Sequence, residues 1–140
     1  MSEKMGYEVR IDASHSEAIA RVTEALKTEG FGVLTRADVD QAFRDKIGVE
    51  FRPYTILGAC NPQLAHMALS AKPEIGLMLP CNVTVEAVED GCVVRIVNPT
   101  AMMQMGDLGS DEAIAKVTSD ATERLQRVAD KLSAKSTRSA

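Results

Sequence analysis

A tight hairpin in the second half of the chain sets the strongest limit on how this sequence folds. Residues 83–88 (Val-Thr-Val-Glu-Ala-Val) and 92–97 (Cys-Val-Val-Arg-Ile-Val) flank Asp90-Gly91. The first run alternates apolar and polar residues, which is typical of a half-buried strand, and Asp-Gly favours a two-residue turn. The chain therefore contains an antiparallel strand pair, and its fold includes a sheet.

A turn at Asp90-Gly91 also predicts the register of the pair. Glu86 then lies opposite Arg95, where the opposite charges stabilise the outer face. Cys92 lies beside the turn, about 20 Å from Cys81 at ~3.3 Å per residue. This distance argues against a disulfide between the two, so we predict that Cys92 is a packing residue.

Two longer helices are marked by their ends and by their apolar spacing. Ser14 and Glu17 form a capping box, and Gly30 supplies a stop after the helix. A final helix starts after Ser110, and its apolar residues lie three or four positions apart, so that they share one face. These residues are Ile114, Val117, Ala121, Leu125, Val128 and Leu132.

The order of these elements predicts an α+β fold, β-α-β-(α)-β-(α)-β-β-α. We expect a two-layer sandwich in which two main helices pack on one face of a mixed or antiparallel sheet. The other face of the sheet is left to be covered, and apolar residues there favour a homodimer. The remaining strands are predicted over residues 7–11, 31–35 and 54–59, and short helices over 39–47 and 62–71.

Length and composition limit the domain organisation and the partners. The 140 residues predict one domain over 6–132, with a flexible N-terminus at 1–5 and a disordered tail at 133–140. A net charge of −4 argues against a nucleic-acid partner held through its phosphates. No run approaches the ~18 apolar residues of a membrane span, and no signal peptide is visible. We therefore predict a cytoplasmic protein without membrane partners, in which three cysteines remain reduced.

Two Cys-Asn dipeptides at the ends of apolar runs form the candidate site. Cys60-Asn61 follows the predicted strand 54–59, and Cys81-Asn82 follows Pro80. Soft side chains at such positions are suited to holding a metal ion or a small ligand. The candidate ligand-binding residues are Cys60, Asn61, Cys81 and Asn82, and the candidate catalytic residues or metal ligands are Cys60 and Cys81.

Two interpretations of Cys60 remain open. Asn61 is a good N-cap and Pro62 a good first helical residue, so Cys60 precedes a helix. The positive end of a helix lowers the pKa of a thiol, which predicts a reactive or ligand-binding Cys60. The alternative is a small buried residue that ends a core strand.

If the two strand ends meet, Cys60 and Cys81 form a redox pair or supply two soft ligands to a metal ion. No Cys-x-x-Cys or Cys/His spacing supports a structural zinc site. His66 is close enough in sequence to act as a base or third ligand, but its helical position favours exposure to solvent. His15 lies in the capping box, and we expect it at the surface.

Residues 102–105 read Met-Met-Gln-Met, an unusual cluster of methionines. Closely spaced methionines bind Cu(I) through their thioethers, especially beside thiolates. More often such a cluster packs under a loop or at a subunit interface, because the side chain is adaptable. We predict packing or an interface role for this segment.

Several short motifs of this chain resemble a bacterial and archaeal family, the domain of unknown function 302 (DUF302). The resemblance covers about residues 5–132, and it implies a compact α+β domain that is often dimeric. It implies no established activity and no catalytic residues. The matching motifs are Gly30-Phe31, Phe51-Arg52-Pro53-Tyr54, Gly58-Ala59-Cys60-Asn61-Pro62, Ala65, Leu79-Pro80-Cys81-Asn82 and Pro99.

The sequence thus predicts a homodimeric domain that binds a small anion, a sulfur species or a soft metal ion between Cys60-Asn61 and Cys81-Asn82. One alternative is a thiol-dependent redox enzyme, with Cys60 as nucleophile and Cys81 as resolving thiol. Another is an assembly module without a ligand. The sequence identifies no cofactor and leaves open whether the protein is an enzyme.

Overall fold

A computed structural model describes residues 4–105 and 108–139 of the chain. Five strands form one sheet in the order β1-β5-β4-β3-β2, and each neighbouring pair is antiparallel. The strands are β1 (Gly6–Ile11), β2 (Gly32–Asp38), β3 (Tyr54–Cys60), β4 (Cys81–Val88) and β5 (Gly91–Val97). The predicted α+β class is confirmed. A mixed or an antiparallel sheet was expected, and the sheet is antiparallel.

Within residues 4–105 and 108–139, five α-helices accompany the sheet, and the predicted order of the longer elements is confirmed. Neither the short helix α4 nor the two 3-10 turns at Pro73–Met78 and Leu108–Ser110 was predicted. Within the described residues, no helix is both long and apolar enough to cross a membrane. The helices are α1 (His15–Lys27), α2 (Val39–Ile47), α3 (Pro62–Ala71), α4 (Pro99–Met102) and α5 (Glu112–Ser139).

The ends of α1 follow from the residues that flank it. The Ser14 hydroxyl accepts a hydrogen bond from the Glu17 backbone N–H at 3.2 Å, as the capping box requires. Gly30 has a φ of +82°, a conformation that glycine adopts without steric cost, and it turns the chain from α1 into β2. The predicted start and stop of this helix are therefore confirmed.

The core lies between one face of the sheet and the helices α1 and α5. Alternate residues of the central strands point into it, as the period of a strand requires. The helices contribute apolar residues spaced three or four apart. Fully buried examples are Val83, Val85, Val94 and Ile96 from the sheet, and Val22, Leu26, Leu125 and Val128 from the helices.

The predicted hairpin register is wrong by two residues. The loop consists of Glu89 and Asp90, so Val88 lies opposite Gly91. Gly91 has a φ of +145°, and its Cα lies so close to the Ile11 carbonyl oxygen of β1 that a side chain would collide with it. Gly91 therefore belongs to the strand and not to the turn. The neighbouring strand β1 leaves no room for a side chain at this position.

The shift by two leaves every hairpin residue on its predicted face, because side chains alternate with a period of two. Glu86 lies opposite Val93 rather than Arg95. The expected ion pair still forms along the diagonal, with Arg95 Nη1 at 2.7 Å from Glu86 Oε1. Arg52 pairs with the second carboxylate oxygen of Glu86.

The structure describes part of each predicted tail, residues 4–5 and 133–139. Asn98 anchors the start of the chain, since its side-chain amide donates to the Lys4 carbonyl oxygen at 3.0 Å and its backbone N–H donates to the Met5 carbonyl oxygen at 2.9 Å. Helix α5 continues to Ser139, because residues 133–139 contain no glycine or proline to end it. Residues 1–3 and 140 lie outside the described residues, and the division of the chain into domain and tails stays a prediction.

Candidate functional site

A cavity of about 50 Å³ lies where β3 ends and β4 begins, between the sheet, α3 and α5. This volume holds a ligand of a few atoms, since a single water needs about 10–15 Å³ by the same measure. Cys60, Asn61 and Cys81 line it together with apolar side chains. Representative apolar lining residues are Phe31, Leu64, Ala68, Leu79, Ile114 and Ala121.

The pairing of β3 with β4 brings two of the predicted site residues together. Ala59 lies opposite Cys81, and Cys60 is the next residue along β3. Both cysteines line the cavity and both residues are half-buried. The structure thus brings to one cavity the two cysteines that the sequence placed at the ends of separate apolar runs.

Asn61 contributes to the cavity mainly by fixing the start of α3. Its side chain is 8% exposed, and its Oδ1 accepts a hydrogen bond from the Leu64 backbone N–H at 3.2 Å. The Asn61 amide also lies against the Cα of Gly30, where a methyl group would not fit. Asn61 is therefore the predicted N-cap, held in place by the end of α1.

Asn82 lies apart from the other three predicted site residues. It is exposed, and it lines a groove on the opposite face of the sheet with Tyr54 and Thr84. Adjacent residues of a strand point to opposite faces, so Cys81 and Asn82 cannot both face the cavity. The structure thus places only Cys81 of the second dipeptide at the cavity.

The environment of the thiols differs from the predicted one. Burial raises the pKa of Cys60 above the ordinary thiol range. Burial, with a smaller contribution from the nearby Cys60, raises the pKa of Cys81 to about 11. The expected lowering of the Cys60 pKa by the helix is wrong, because the apolar surroundings outweigh the positive end of α3. Both thiols are therefore protonated at neutral pH.

Among the described residues, every side chain that lines the cavity is uncharged. The polar ones besides the two thiols already have partners, because Asn61 caps α3 and the Thr118 hydroxyl donates to the Ile114 carbonyl oxygen at 2.7 Å. An anion would find no opposite charge here. The cavity therefore suits a ligand that is uncharged or that bonds directly to sulfur.

Sequence reasoning missed that Met103 lines the same cavity. The short helix α4 directs the chain there, and the Asn98 side chain caps it by accepting from the Thr100 N–H at 3.0 Å. Asn98-Pro99 repeats the cap-and-proline pattern of Asn61-Pro62, and this signal could have revealed the helix. Met103 is half-buried and packs beside Ile75, in agreement with the predicted packing role.

The two histidines lie away from the cavity. His66 is exposed on α3, as predicted. His15 is half-buried rather than at the surface, because the first turn of α1 packs over the sheet. Its Nε2 lies 3.2 Å from both the Val85 carbonyl oxygen and the Thr55 hydroxyl, and Thr55 donates to Asp38 at 2.8 Å.

Cys92 is fully buried in the core, which agrees with its predicted packing role, and all three cysteines are free thiols. In the described part of the chain, no three or more His, Cys, Asp or Glu side chains group to hold a metal ion.

The chain was compared with known proteins. The family model of the domain of unknown function DUF302 matches residues 7–132. The crystal structure of an uncharacterized conserved DUF302 protein from Bacillus stearothermophilus superimposes with a TM-score of 0.81 at 31% identity, covering 93% of this chain and 99% of that one. No curated protein matches. This chain belongs to the DUF302 family.

Proposed function

We propose that the protein is a homodimeric binding protein that holds a small, uncharged or sulfur-bonding ligand in the cavity beside Cys60 and Cys81. The observation that carries this proposal is that Cys60 and Cys81 both line one largely apolar cavity of about 50 Å³. A concave site lined mainly by apolar side chains, with few polar groups, is typical of ligand-binding pockets. A sulfur species or a soft metal ion fits this site better than an anion, because the lining is uncharged.

The protonated thiols favour binding over redox catalysis. A nucleophilic cysteine attacks as the thiolate, and burial raises the pKa of both Cys60 and Cys81. A positively charged side chain that would stabilise a Cys60 thiolate is absent from the described lining of the cavity. The thiol-dependent redox enzyme is therefore the weaker alternative.

The second part of the proposal is a homodimer formed through α2. The structure describes every residue of α2, and none of them is buried. Val39, Phe43 and Ile47 follow one another at helical spacing, and Ile47 is 67% exposed. A second copy packed on this apolar face would bury it, and the flanking Asp45 and Lys46 give the rim both signs of charge.

The proposed dimer face and the cavity lie at opposite ends of β3. Asp40 of α2 accepts a hydrogen bond from the Tyr54 N–H at 3.0 Å, at the first residue of the strand. Cys60 is the last residue of the strand, about 20 Å away at ~3.3 Å per residue. Substitutions at one end should therefore leave the other intact.

The three free thiols support a reducing compartment, so we place the protein in the cytoplasm.

Native mass spectrometry of protein purified gently, without added reductant or chelator, tests the function. We expect a dimer that carries a defined extra mass, and we expect Cys60→Ser to lose that mass while Cys92→Ser retains it. A bare dimer with three free thiols would contradict ligand binding and favour the assembly module.

A further inference from the structure

We propose that the two copies of the homodimer join through the exposed edge of β2, which pairs with β2 of the second copy as an antiparallel strand. This inference rests on the homodimer of the proposed function and names the strand that joins its copies. Its basis is an uncovered strand edge on which Arg36 and Asp38 complement the same two residues of a second copy.

Strand β2 lies at one edge of the described sheet, where β3 is its strand neighbour. Six of its seven residues are exposed, and Leu34 is 69% exposed. The other edge strand, β1, differs because Val9 and Ile11 are buried and α5 packs beside it. An exposed edge presents backbone N–H and C=O groups with which another strand can pair.

Two hydrogen bonds at the start of β3 show in which direction its backbone groups point. The Pro53 carbonyl oxygen accepts from the Ala87 N–H of β4 at 2.9 Å. The Tyr54 N–H points away from β4 and donates to Asp40 of α2 at 3.0 Å. Because this direction alternates along a strand, the backbone groups of Ile56 also point away from β4, towards β2.

The same alternation identifies the free groups of β2. Ile56 lies opposite Ala37, so these two residues exchange the hydrogen bonds between β3 and β2. The backbone groups of Arg36 and Asp38, on either side of Ala37, therefore point to the open edge. The Asp38 carbonyl also begins α2 as its N-cap, which leaves the Asp38 N–H and the Arg36 carbonyl for a second copy.

The side chains of these two residues carry opposite charges at the same edge. They are 51% exposed at Arg36 and 42% at Asp38, and Arg36 Nη2 lies 3.1 Å from Asp38 Oδ1. The Thr55 hydroxyl donates to the same Oδ1 at 2.8 Å. Every contact of Asp38 in the described part of the chain uses Oδ1, so Oδ2 can accept from a guanidinium of the second copy.

The charges select one register for the pair. With the two-fold axis at Ala37, Arg36 lies opposite Asp38 of the second copy, and Asp38 lies opposite Arg36 of that copy. The Asp38 N–H then donates to the Arg36 carbonyl of the second copy, and the reverse bond forms by symmetry. An axis at Arg36 or at Asp38 would instead place like charges opposite each other.

The ends of β2 limit this contact to two copies. The register with β3 shifts at Leu34, and such a bulge ends regular pairing on one side. On the other side α2 begins at Val39, two residues from the axis, and extends the contact to the apolar face of α2. A strand that pairs with its own copy about a two-fold axis leaves no open edge, so the assembly closes as a dimer.

Charge-swapped chains test this pairing by analytical ultracentrifugation. Arg36→Asp and Asp38→Arg should each weaken the dimer by at least roughly tenfold, because each places like charges opposite each other twice per dimer. Mixed in equal amounts, the two variants should dimerise again, since a carboxylate then faces a guanidinium in every pair. An ion pair within one chain does not predict this rescue, because each variant carries two like charges.

The matched controls are Lys27→Glu and Glu24→Lys, which reverse the charges of an exposed ion pair on α1. Each should dimerise as the unsubstituted chain does, alone and mixed.

Amide hydrogen exchange of the unsubstituted chain gives a second test, which does not depend on the folding of a variant. The Asp38 N–H should exchange at least roughly tenfold more slowly in the dimer than after dilution to the monomer. The Ala37 N–H, which bonds to β3 within the chain, should keep its protection in both states.

The strand pairing is overturned if the mixed variants stay monomeric, or if the Asp38 N–H exchanges equally fast in dimer and monomer. If the unsubstituted chain is a dimer that neither Arg36→Asp nor Asp38→Arg weakens, the strand pairing fails and the homodimer of the proposed function stands. A monomeric unsubstituted chain would contradict both.

Discussion

Ala59 of β3 lies directly opposite Cys81 of β4, and Cys60, the next residue along β3, lines the same cavity as Cys81. This pairing joins two motifs that are 21 positions apart in the sequence, from Cys60 to Cys81.

Filling the cavity should exclude its ligand. Ala68 of α3 is 4% exposed and lines the cavity, so Ala68→Leu places three extra carbon atoms in the space that a ligand would occupy. We expect native mass spectrometry to show loss of the bound mass, with a change in unfolding free energy of less than about 1.5 kcal/mol because the cavity accepts the larger side chain.

The matched control for this substitution is Ala71→Leu, at the exposed end of the same helix. It adds the same atoms outside the cavity and should leave the bound mass unchanged. Retention of the mass in Ala68→Leu would place the ligand elsewhere.

The thiols should react slowly at neutral pH. Burial raises the pKa of both Cys60 and Cys81, so alkylation by iodoacetamide should accelerate only as the pH rises above the ordinary thiol value of 9.0. Peptide mass mapping follows each site separately. Rapid alkylation of Cys60 at pH 7 would instead support the redox enzyme.

The raised pKa of Cys81 also predicts a loss of stability at alkaline pH. The unfolded chain gives up this proton near pH 9, whereas the folded chain retains it to about pH 11. Between these values the unfolded state binds fewer protons, so stability falls as the pH rises, by about 2–3 kcal/mol in full. Chemical denaturation between pH 8 and 11 should show this loss, and Cys81→Ala should lack it.

Some features of the fold and of the cavity follow from the sequence, and others do not. The caps at Ser14 and Asn61 and the strand alternation are local, because they depend on residues within one turn or one strand, and they were predicted. The exposure of Asn82 on the far face was also within reach, since alternation separates it from Cys81. The sequence placed the dimer interface on the open face of the sheet, whereas the dimer that we propose forms through α2.

Other features depend on contacts between distant segments. The hairpin register follows from the approach of Gly91 to Ile11 in a neighbouring strand, and the burial of His15 from the packing of α1 on Val85. The pKa of Cys60 depends on its burial in the fold. The sequence alone does not reveal the contacts that bury it. Met103 reaches the cavity only through the path of α4.

Dimerisation should depend on the exposed apolar face of α2. Ile47→Glu puts a carboxylate where the proposed dimer buries an apolar side chain, and a cost of about 2–4 kcal/mol weakens the dimer by roughly 30- to 700-fold. Analytical ultracentrifugation over a concentration series measures this change. The control is Leu77→Glu, at an 88% exposed apolar residue near the cavity end of the sheet.

We expect Leu77→Glu to dimerise as the unsubstituted chain does. A monomer in all three proteins would contradict the homodimer, and equal weakening by the two substitutions would move the interface away from α2.

Glu86 should stabilise the open face of the sheet in a pH-dependent way. Its hydrogen bonds with Arg95 and then Arg52 hold its pKa below the ordinary carboxyl value of 4.5. A lowered pKa means that this stabilisation is present at neutral pH and is lost as the pH falls below that value. We expect Glu86→Gln to lower the unfolding free energy by about 1–3 kcal/mol at pH 7 and by much less at pH 3.

Glu8→Gln serves as the comparison, because Glu8 also pairs with Arg95 but is 66% exposed in its side chain. An exposed pair contributes about 0–1 kcal/mol, so this variant should differ little from the unsubstituted chain at either pH. Equal effects of the two substitutions in urea denaturation would show that the buried carboxylate has no special role.

The most direct test of the central claim is a crystal structure of the protein purified without reductant or chelator. We predict electron density for a bound ligand in the cavity, in contact with the sulfur atoms of both Cys60 and Cys81, and an anomalous signal at that position if the ligand is a metal ion. A cavity that is closed or holds only water, with both thiols packed against apolar neighbours, would contradict it.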